Sequence, residues 1–157
     1  MKATKLIATV TALSLVFAGT AKVSMNDVSL SSTKGNIDLM VESSDAVYGI
    51  QFDLKYDPTQ ITLNSAEATI NDITFDYAEN TPGLVRGLMF SMQGKQLNID
   101  NISSFVNFDF SPAQGFKGKA TISFEDVILA GENGTKISSS SSSVVVDTNN
   151  MLPIKTT

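Results

Sequence analysis

The amino-acid sequence predicts an all-β protein, a two-sheet antiparallel β-sandwich, and two patterns support this prediction. Short segments of alternating apolar and polar residues recur along the chain, and turns rich in glycine, proline, asparagine and serine separate them. Beyond residue 21, no segment shows the apolar stripe of an amphipathic helix. About eight or nine short strands at this spacing are typical of two sheets packed over one core, with an antiparallel barrel as the alternative.

The strand with the clearest pattern is predicted at residues 48–56. Alternate residues in it are aromatic or aliphatic and should face the core: Tyr48, Ile50, Phe52, Leu54 and Tyr56. The residues between them are small or polar and should face solvent: Gly49, Gln51, Asp53 and Lys55. Asp57 and Pro58 end the strand, because proline cannot donate a hydrogen bond to a neighbouring strand.

The other strands are predicted from the same alternation and from the turn signals between them, at residues 23–31, 37–42, 61–66, 70–77, 84–92, 105–110, 120–129 and 137–147. Arg86 shares its parity with apolar residues of its strand, so either it lies near solvent at the strand end or the pleat slips at Gly87. The alternation changes phase at residues 125–126, which predicts a β-bulge or a strand break. Six serines at residues 138–143 are interpreted as a polar edge strand rather than a flexible linker.

The N-terminal residues are predicted to form a secretory signal peptide. Lys2 and Lys5 precede an apolar run at residues 6–18 that is too short to span a bilayer, and residues 19–21 are small enough for a signal peptidase. The prediction is therefore a secreted, extracellular or cell-surface protein without membrane insertion. Its segments would be a signal peptide at 1–21, a sandwich domain at 22–148 and a C-terminal tail at 149–157.

The composition excludes several kinds of chemistry. The chain has no histidine, cysteine or tryptophan, so Ser-His and Cys-His nucleophiles, His/Cys zinc sites and disulfides are excluded. Catalysis by paired carboxylates stays formally open. Because Asp53, Asp109 and Glu125 have outward strand positions and the other acids lie mostly in turns, no enzyme is predicted. Removing Lys2 and Lys5 leaves 9 of the 11 basic residues against 16 acidic ones, a net charge near −7. Such an acidic surface repels nucleic acid, which is therefore not predicted as a partner.

A calcium site would need several converging oxygen ligands. Asp72 and Asp76 with Glu79 come nearest to such a group, and Asp45 with Asp53 is a weaker pair. Loops without metal are the preferred interpretation, so neither a metal nor a cofactor is predicted.

Three segments resemble the cohesin domain family. Residues 47–61 read Val-Tyr-Gly-Ile-Gln-Phe-Asp-Leu-Lys-Tyr-Asp-Pro-Thr-Gln-Ile, which is similar to the cohesin signature of a glycine, an apolar-Gln-Phe run, Tyr-Asp-Pro and an aliphatic strand. Residues 103–110 resemble the cohesin strand that ends in an aromatic residue before a glycine-containing loop. Residues 118–134 resemble the late segment that leads to the final strand.

This resemblance implies a nine-stranded jelly-roll, like that of cohesins and carbohydrate-binding modules, that binds a dockerin-type protein module. The partner would carry its own calcium, and such pairs assemble polysaccharide-degrading complexes. Binding would use the solvent face of the sheet that contains the 48–56 strand. The implied partner-binding residues are the outward ones of that strand: Gln51, Asp53 and Lys55.

Two other functions remain open. A polysaccharide-binding module would present flat aromatic rings, but tryptophan is absent, Tyr48 and Tyr56 have the core parity, and Tyr77 alone is expected to be free. A structural subunit of an extracellular fibre or matrix would associate by strand addition or edge pairing.

Overall fold

The computed structural model describes residues 20–26, 35–97 and 102–148. Within these ranges the chain forms ten β-strands and one short 3-10 helix, Glu132–Gly134. The strands are β1 (Thr20–Met25), β2 (Gly35–Ser43), β3 (Gly49–Tyr56), β4 (Ile61–Ala68), β5 (Thr74–Thr81), β6 (Leu84–Phe90), β7 (Ile102–Pro112), β8 (Lys119–Ala130), β9 (Lys136–Ser141) and β10 (Ser143–Asp147).

The strands form two sheets. Sheet I has the order β4-β7-β2-β1-β9, and sheet II has the order β8-β3-β6-β5, with β10 also paired to β8. A short antiparallel pairing between β9 and β8 joins the two sheets. Neighbouring strands are antiparallel except β1 and β9, which are parallel. The predicted all-β, two-sheet antiparallel sandwich is therefore confirmed.

The closing segment differs from the single strand predicted at 137–147, because it divides into β9 and β10 at Ser142. The serine run is strand, as predicted, but β9 lies between β1 and β8 rather than at an edge. The division follows from the length of β8, whose two halves pair with different strands. Where they separate, the hydroxyls of Ser139 and Ser141 donate to the carbonyls of Val127 and Phe124 at 3.3 and 3.1 Å.

The hydrophobic core contains inward residues of both sheets. Its largest fully buried side chains include Phe52 of β3 and three phenylalanines of β7, Phe105, Phe108 and Phe110. The ring of Phe52 meets Phe108 edge-on at 5.9 Å and Phe124 of β8 at 5.4 Å, an arrangement that aromatic rings favour. Most of the predicted inward set of the 48–56 strand is buried, as expected; Tyr48, just before β3, is half-buried.

The predicted irregularity in β8 is a β-bulge. Gln51 of β3 lies opposite Ile128, but Asp53 lies opposite Glu125, so β8 holds one more residue than β3 between these pairs. Asp126, within the bulge, has a φ of 47°. The bulge restores the alternation, so that apolar residues on both sides of it reach the core.

In β6 the pleat does not slip, and Arg86 faces solvent from the middle of the strand rather than from its end. Val85, Gly87 and Met89 form the buried side of β6. A Cβ at Gly87 would lie within 2.8 Å of three ring atoms of Phe52, so only glycine fits there without rearrangement. Of the two alternatives for Arg86, exposure to solvent is therefore correct, although in mid-strand, and the slip at Gly87 is not, because Gly87 is buried beneath the Phe52 ring.

The segment between the strands predicted at 70–77 and 84–92 is mostly strand, since β5 continues to Thr81 and only a tight turn separates it from β6. Glu79 stabilises this hairpin. Its Oε1 atom accepts hydrogen bonds from the Gly83 amide and from the Tyr56 hydroxyl, both at 2.7 Å.

Most of the predicted signal peptide, residues 1–19, and the predicted tail, residues 149–157, lie outside the described residues. Thr20 and Ala21 belong to β1, where Ala21 is buried opposite Ser43. In the part of the chain that the structure covers, no helix has the length and apolarity to cross a bilayer.

Candidate functional site

The outer face of sheet II brings exposed apolar side chains and ion pairs together, and we call it the mixed face. Residues directly opposite each other in antiparallel strands share a face, so the register identifies its members. On β5, β6, β3 and β8 they include Thr74, Asp76, Ala78, Thr81, Leu84, Arg86, Leu88, Phe90, Gly49, Gln51, Asp53, Lys55, Ser123, Glu125, Ile128 and Ala130. All three residues that the sequence nominated on β3 lie on it.

The centre of the mixed face holds a bidentate ion pair between β3 and β6. Arg86 donates from Nε to Asp53 Oδ1 and from Nη2 to Asp53 Oδ2, each at 2.7 Å. Asp53 is only 4% exposed, whereas the Arg86 side chain is 61% exposed. Asp53 is therefore outward in register but covered by the guanidinium, and Arg86 is the charge that meets solvent.

Asp53 and Arg86 shift each other's pKa. Hydrogen bonds from Arg86 hold the pKa of Asp53 below its ordinary value, although desolvation opposes the effect. The same contacts raise the pKa of Arg86, and the nearby Asp126 carboxylate adds to that rise. Both groups are charged at neutral pH.

Substituting Asp53→Asn should destabilise the protein at neutral pH and much less in acid. A carboxyl whose pKa is lower in the folded state adds stability above its unfolded pKa, near 4, and loses that contribution as the pH falls further. Urea unfolding of wild type and Asp53→Asn at pH 7, 4 and 3 should show a difference that shrinks towards pH 3. A difference that stays constant with pH would contradict this account, and Glu125→Gln, in an exposed pair, is the matched control.

The second ion pair of the mixed face is peripheral. Lys55 Nζ lies 3.5 Å from Glu125 Oε1, and the two side chains are 60% and 47% exposed. Exposed pairs of this kind contribute little to stability. Lys55 and Glu125 thus remain accessible to a partner.

Two exposed apolar side chains flank the half-buried Gln51. Leu88 of β6 is 44% exposed and Ile128 of β8 is 43% exposed, and both lie opposite Gln51. Beside them an open depression of about 480 Å³ extends over Gly49 and Ala130. An apolar centre with a charged border is the usual composition of a protein-binding surface.

The outer face of sheet I, which we call the polar face, is different. Asn107 Nδ2 donates to Asp38 Oδ1 at 2.8 Å, the Asp38 amide donates to Asn26 at 2.6 Å, and Ser111 donates to Asn64 at 3.1 Å. These groups satisfy one another. The large apolar residues exposed within the described ranges are all elsewhere: Tyr77, Leu88, Met92, Ile128 and Val145.

Sequence reasoning missed Arg86, Leu88, Glu125 and Ile128 as members of the site. Both alternating sets of β6 contain apolar residues, so hydrophobicity alone does not identify its outer side. Arg86 was the available signal, because a charged residue in mid-strand marks the solvent face.

The structure does not assemble the calcium candidates. Asp72 pairs with Lys95 at 3.4 Å, Asp76 lies on the mixed face, and Glu79 accepts the hydrogen bonds of the β5–β6 hairpin. Among the described residues, no group of three or more acidic side chains could hold a metal ion.

The three tyrosines differ in exposure, and Tyr48, which lines the depression, is half-buried. Tyr56 is 6% exposed, and burial together with its hydrogen bond to Glu79 raises the pKa of its hydroxyl. Tyr77 is exposed, as expected, but its ring is stacked on Phe75 at 5.6 Å.

A protein-family model and solved structures that match this chain belong to the same family. The cohesin domain model matches residues 33–156. No curated protein sequence matches the chain.

Solved structures share the fold at low sequence identity. The cohesin module of a Clostridium perfringens family 33 glycoside hydrolase is 20% identical with a TM-score of 0.70, over 84% of this chain and 97% of that one. The seventh type I cohesin of ScaB from Pseudobacteroides cellulosolvens is 17% identical with a TM-score of 0.72, over 87% and 97%. The sixth cohesin of scaffoldin B from Acetivibrio cellulolyticus, in complex with a dockerin, is 16% identical with a TM-score of 0.69, over 82% and 98%.

Proposed function

Because this chain belongs to the cohesin domain family, we propose that it is a secreted, non-catalytic module that binds a dockerin-type protein through its mixed face. The observation that carries the proposal is the exposed pair Leu88 and Ile128 beside the Arg86–Asp53 ion pair, on the sheet that contains β3. The Acetivibrio cellulolyticus relative in complex with a dockerin supports the class of partner.

The three residues nominated on β3 have different proposed roles. Gln51 and Lys55 are accessible and would contact the partner directly. Asp53 is covered, so it would act through Arg86, whose guanidinium it holds in one orientation. Arg86 uses two N–H groups on Asp53, which leaves three of its five donors for a partner.

Calorimetry with a panel of purified, calcium-loaded dockerin modules, including the one from the Acetivibrio cellulolyticus complex, tests the proposal. At least one should bind with a Kd in the nanomolar-to-micromolar range, and substituting Asp53 and Lys55 together should weaken that binding. Since the calcium would belong to the partner, EDTA should abolish binding while the melting temperature of this chain stays unchanged.

The double substitution Asn64→Ala, Glu67→Ala on the polar face is the matched control and should leave affinity unchanged. Absence of binding across the whole panel would remove the proposed function without affecting the fold. The polysaccharide alternative would need exposed aromatic rings, and of the three tyrosines only Tyr77 is exposed. Retention on insoluble cellulose or chitin would support that alternative.

A further inference from the structure

Gly49 occupies a position that does not require glycine. Its backbone does not have the positive φ that favours glycine. A Cβ there would meet Ala130 Cβ at 3.5 Å and Met89 O at 3.6 Å, which are ordinary contact distances. At position 87, by contrast, glycine is required, because a Cβ there would overlap the Phe52 ring. Glycine weakens a strand relative to alanine, so its presence at 49 serves something other than the fold.

The missing side chain opens the depression on the mixed face. Small residues form its floor, Gly49 and Ala130, and Gly131 and Gly134 continue it into the following turn. Leu88 and Ile128 form an apolar rim. Tyr48 and Phe90 also line the depression, and the polar side chains among its described lining residues are those of Tyr48 and Gln51. Because the rest of the lining is apolar or glycine, the depression suits an aliphatic side chain.

The charges around the depression are mostly acidic. Asp76 lies opposite Leu88, and Asp126 lies in the bulge two residues before Ile128. The two cations of the mixed face, Arg86 and Lys55, are already paired with carboxylates. A cation on the partner would therefore be attracted to this border, and an anion would be repelled.

We infer that the Gly49 depression is the anchor point of the interface, where an aliphatic side chain of the partner enters next to a lysine or arginine. This inference rests on the proposed function, since it describes the dockerin-type partner of the same face. It makes Gly49 a specificity-determining position, because a side chain there would fill the depression in proportion to its size.

Gly49→Leu tests the inference on the dockerin that binds most tightly in the panel. The substitution should reduce affinity at least 30-fold, Gly49→Ala should have a smaller effect, and both variants should keep the wild-type melting temperature. Thr62→Leu adds the same side chain to an exposed strand of the polar face and should bind normally. Wild-type affinity should also fall as salt is raised, because attraction to the acidic border is screened.

Equal binding by wild type and Gly49→Leu would overturn the inference while the proposed function stands. If the affinity did not change with salt, the part of the inference that places a lysine or arginine of the partner next to the aliphatic side chain would be overturned. If no dockerin binds the wild-type protein, the proposed function and the inference fail together.

Discussion

Replacing Phe52 with alanine is expected to lower the free energy of unfolding by about 3–5 kcal/mol, the usual cost of removing a fully buried phenylalanine. Phe52 is 0% exposed. Its ring contacts Phe108 and Phe124 edge-on and covers Gly87 on the neighbouring strand. Truncation would leave a cavity at the point where β3, β6, β7 and β8 meet, and rigid sheets cannot collapse to fill it.

Urea denaturation followed by circular dichroism measures this effect. Phe75→Ala is the matched control, because Phe75 lies on the edge strand β5, is only partly buried and stacks on Tyr77. Phe75→Ala should lower the free energy of unfolding clearly less than Phe52→Ala does. A loss at Phe52 no greater than the loss at Phe75 would show that the two sheets do not pack over Phe52 as described.

The contact with Gly87 gives an independent measure of the same packing. Gly87→Ala alone should destabilise by about 1–3 kcal/mol, as overpacking of a filled core does. In a Phe52→Leu background the same substitution should cost less, because the ring that the new methyl group meets is gone. A double-mutant cycle with no coupling would contradict the overlap.

The strict alternation in β3 was sufficient to predict both its inner and its outer face, because each set is chemically uniform. β6 was not predictable in this way. Its buried side contains Gly87 and its exposed side contains Leu84 and Leu88, so the apolar pattern points to the wrong side. The reason is a long-range contact, since Phe52 of β3 supplies the apolar volume that Gly87 lacks.

The composition of the site depended on strand register, which the sequence does not encode locally. The outward position of Asp53 followed from its parity, but its burial follows from Arg86, which lies 33 residues away along the chain. Likewise the bulge in β8 sets Ile128 rather than Val127 opposite Gln51. A phase change predicts that a bulge exists, whereas only pairing shows which residue it turns outward.

The substitutions Leu88→Ser and Ile128→Ser together should weaken dockerin binding about 30-fold or more. Truncating a central interface residue commonly costs about 2 kcal/mol or more, and each 1.4 kcal/mol is a tenfold change in Kd. Serine removes the apolar area without adding a charge, so the change isolates the apolar contact from the electrostatic one. Because both side chains are more than 40% exposed in the free protein, the folded state should lose little stability.

Met92→Ser is the matched control for this experiment, since Met92 is 78% exposed but lies in the turn after β6, outside the mixed face. Val145→Ser probes the same sheet at β10, away from Gln51, and should have an intermediate or negligible effect. If Met92→Ser weakened binding as much as the Leu88 and Ile128 pair, the interface would lie at the end of the sandwich. If only the Leu88 and Ile128 double substitution weakened binding, the apolar contact would lie beside the Arg86–Asp53 ion pair. A partner could then contact the apolar side chains and the ion pair together.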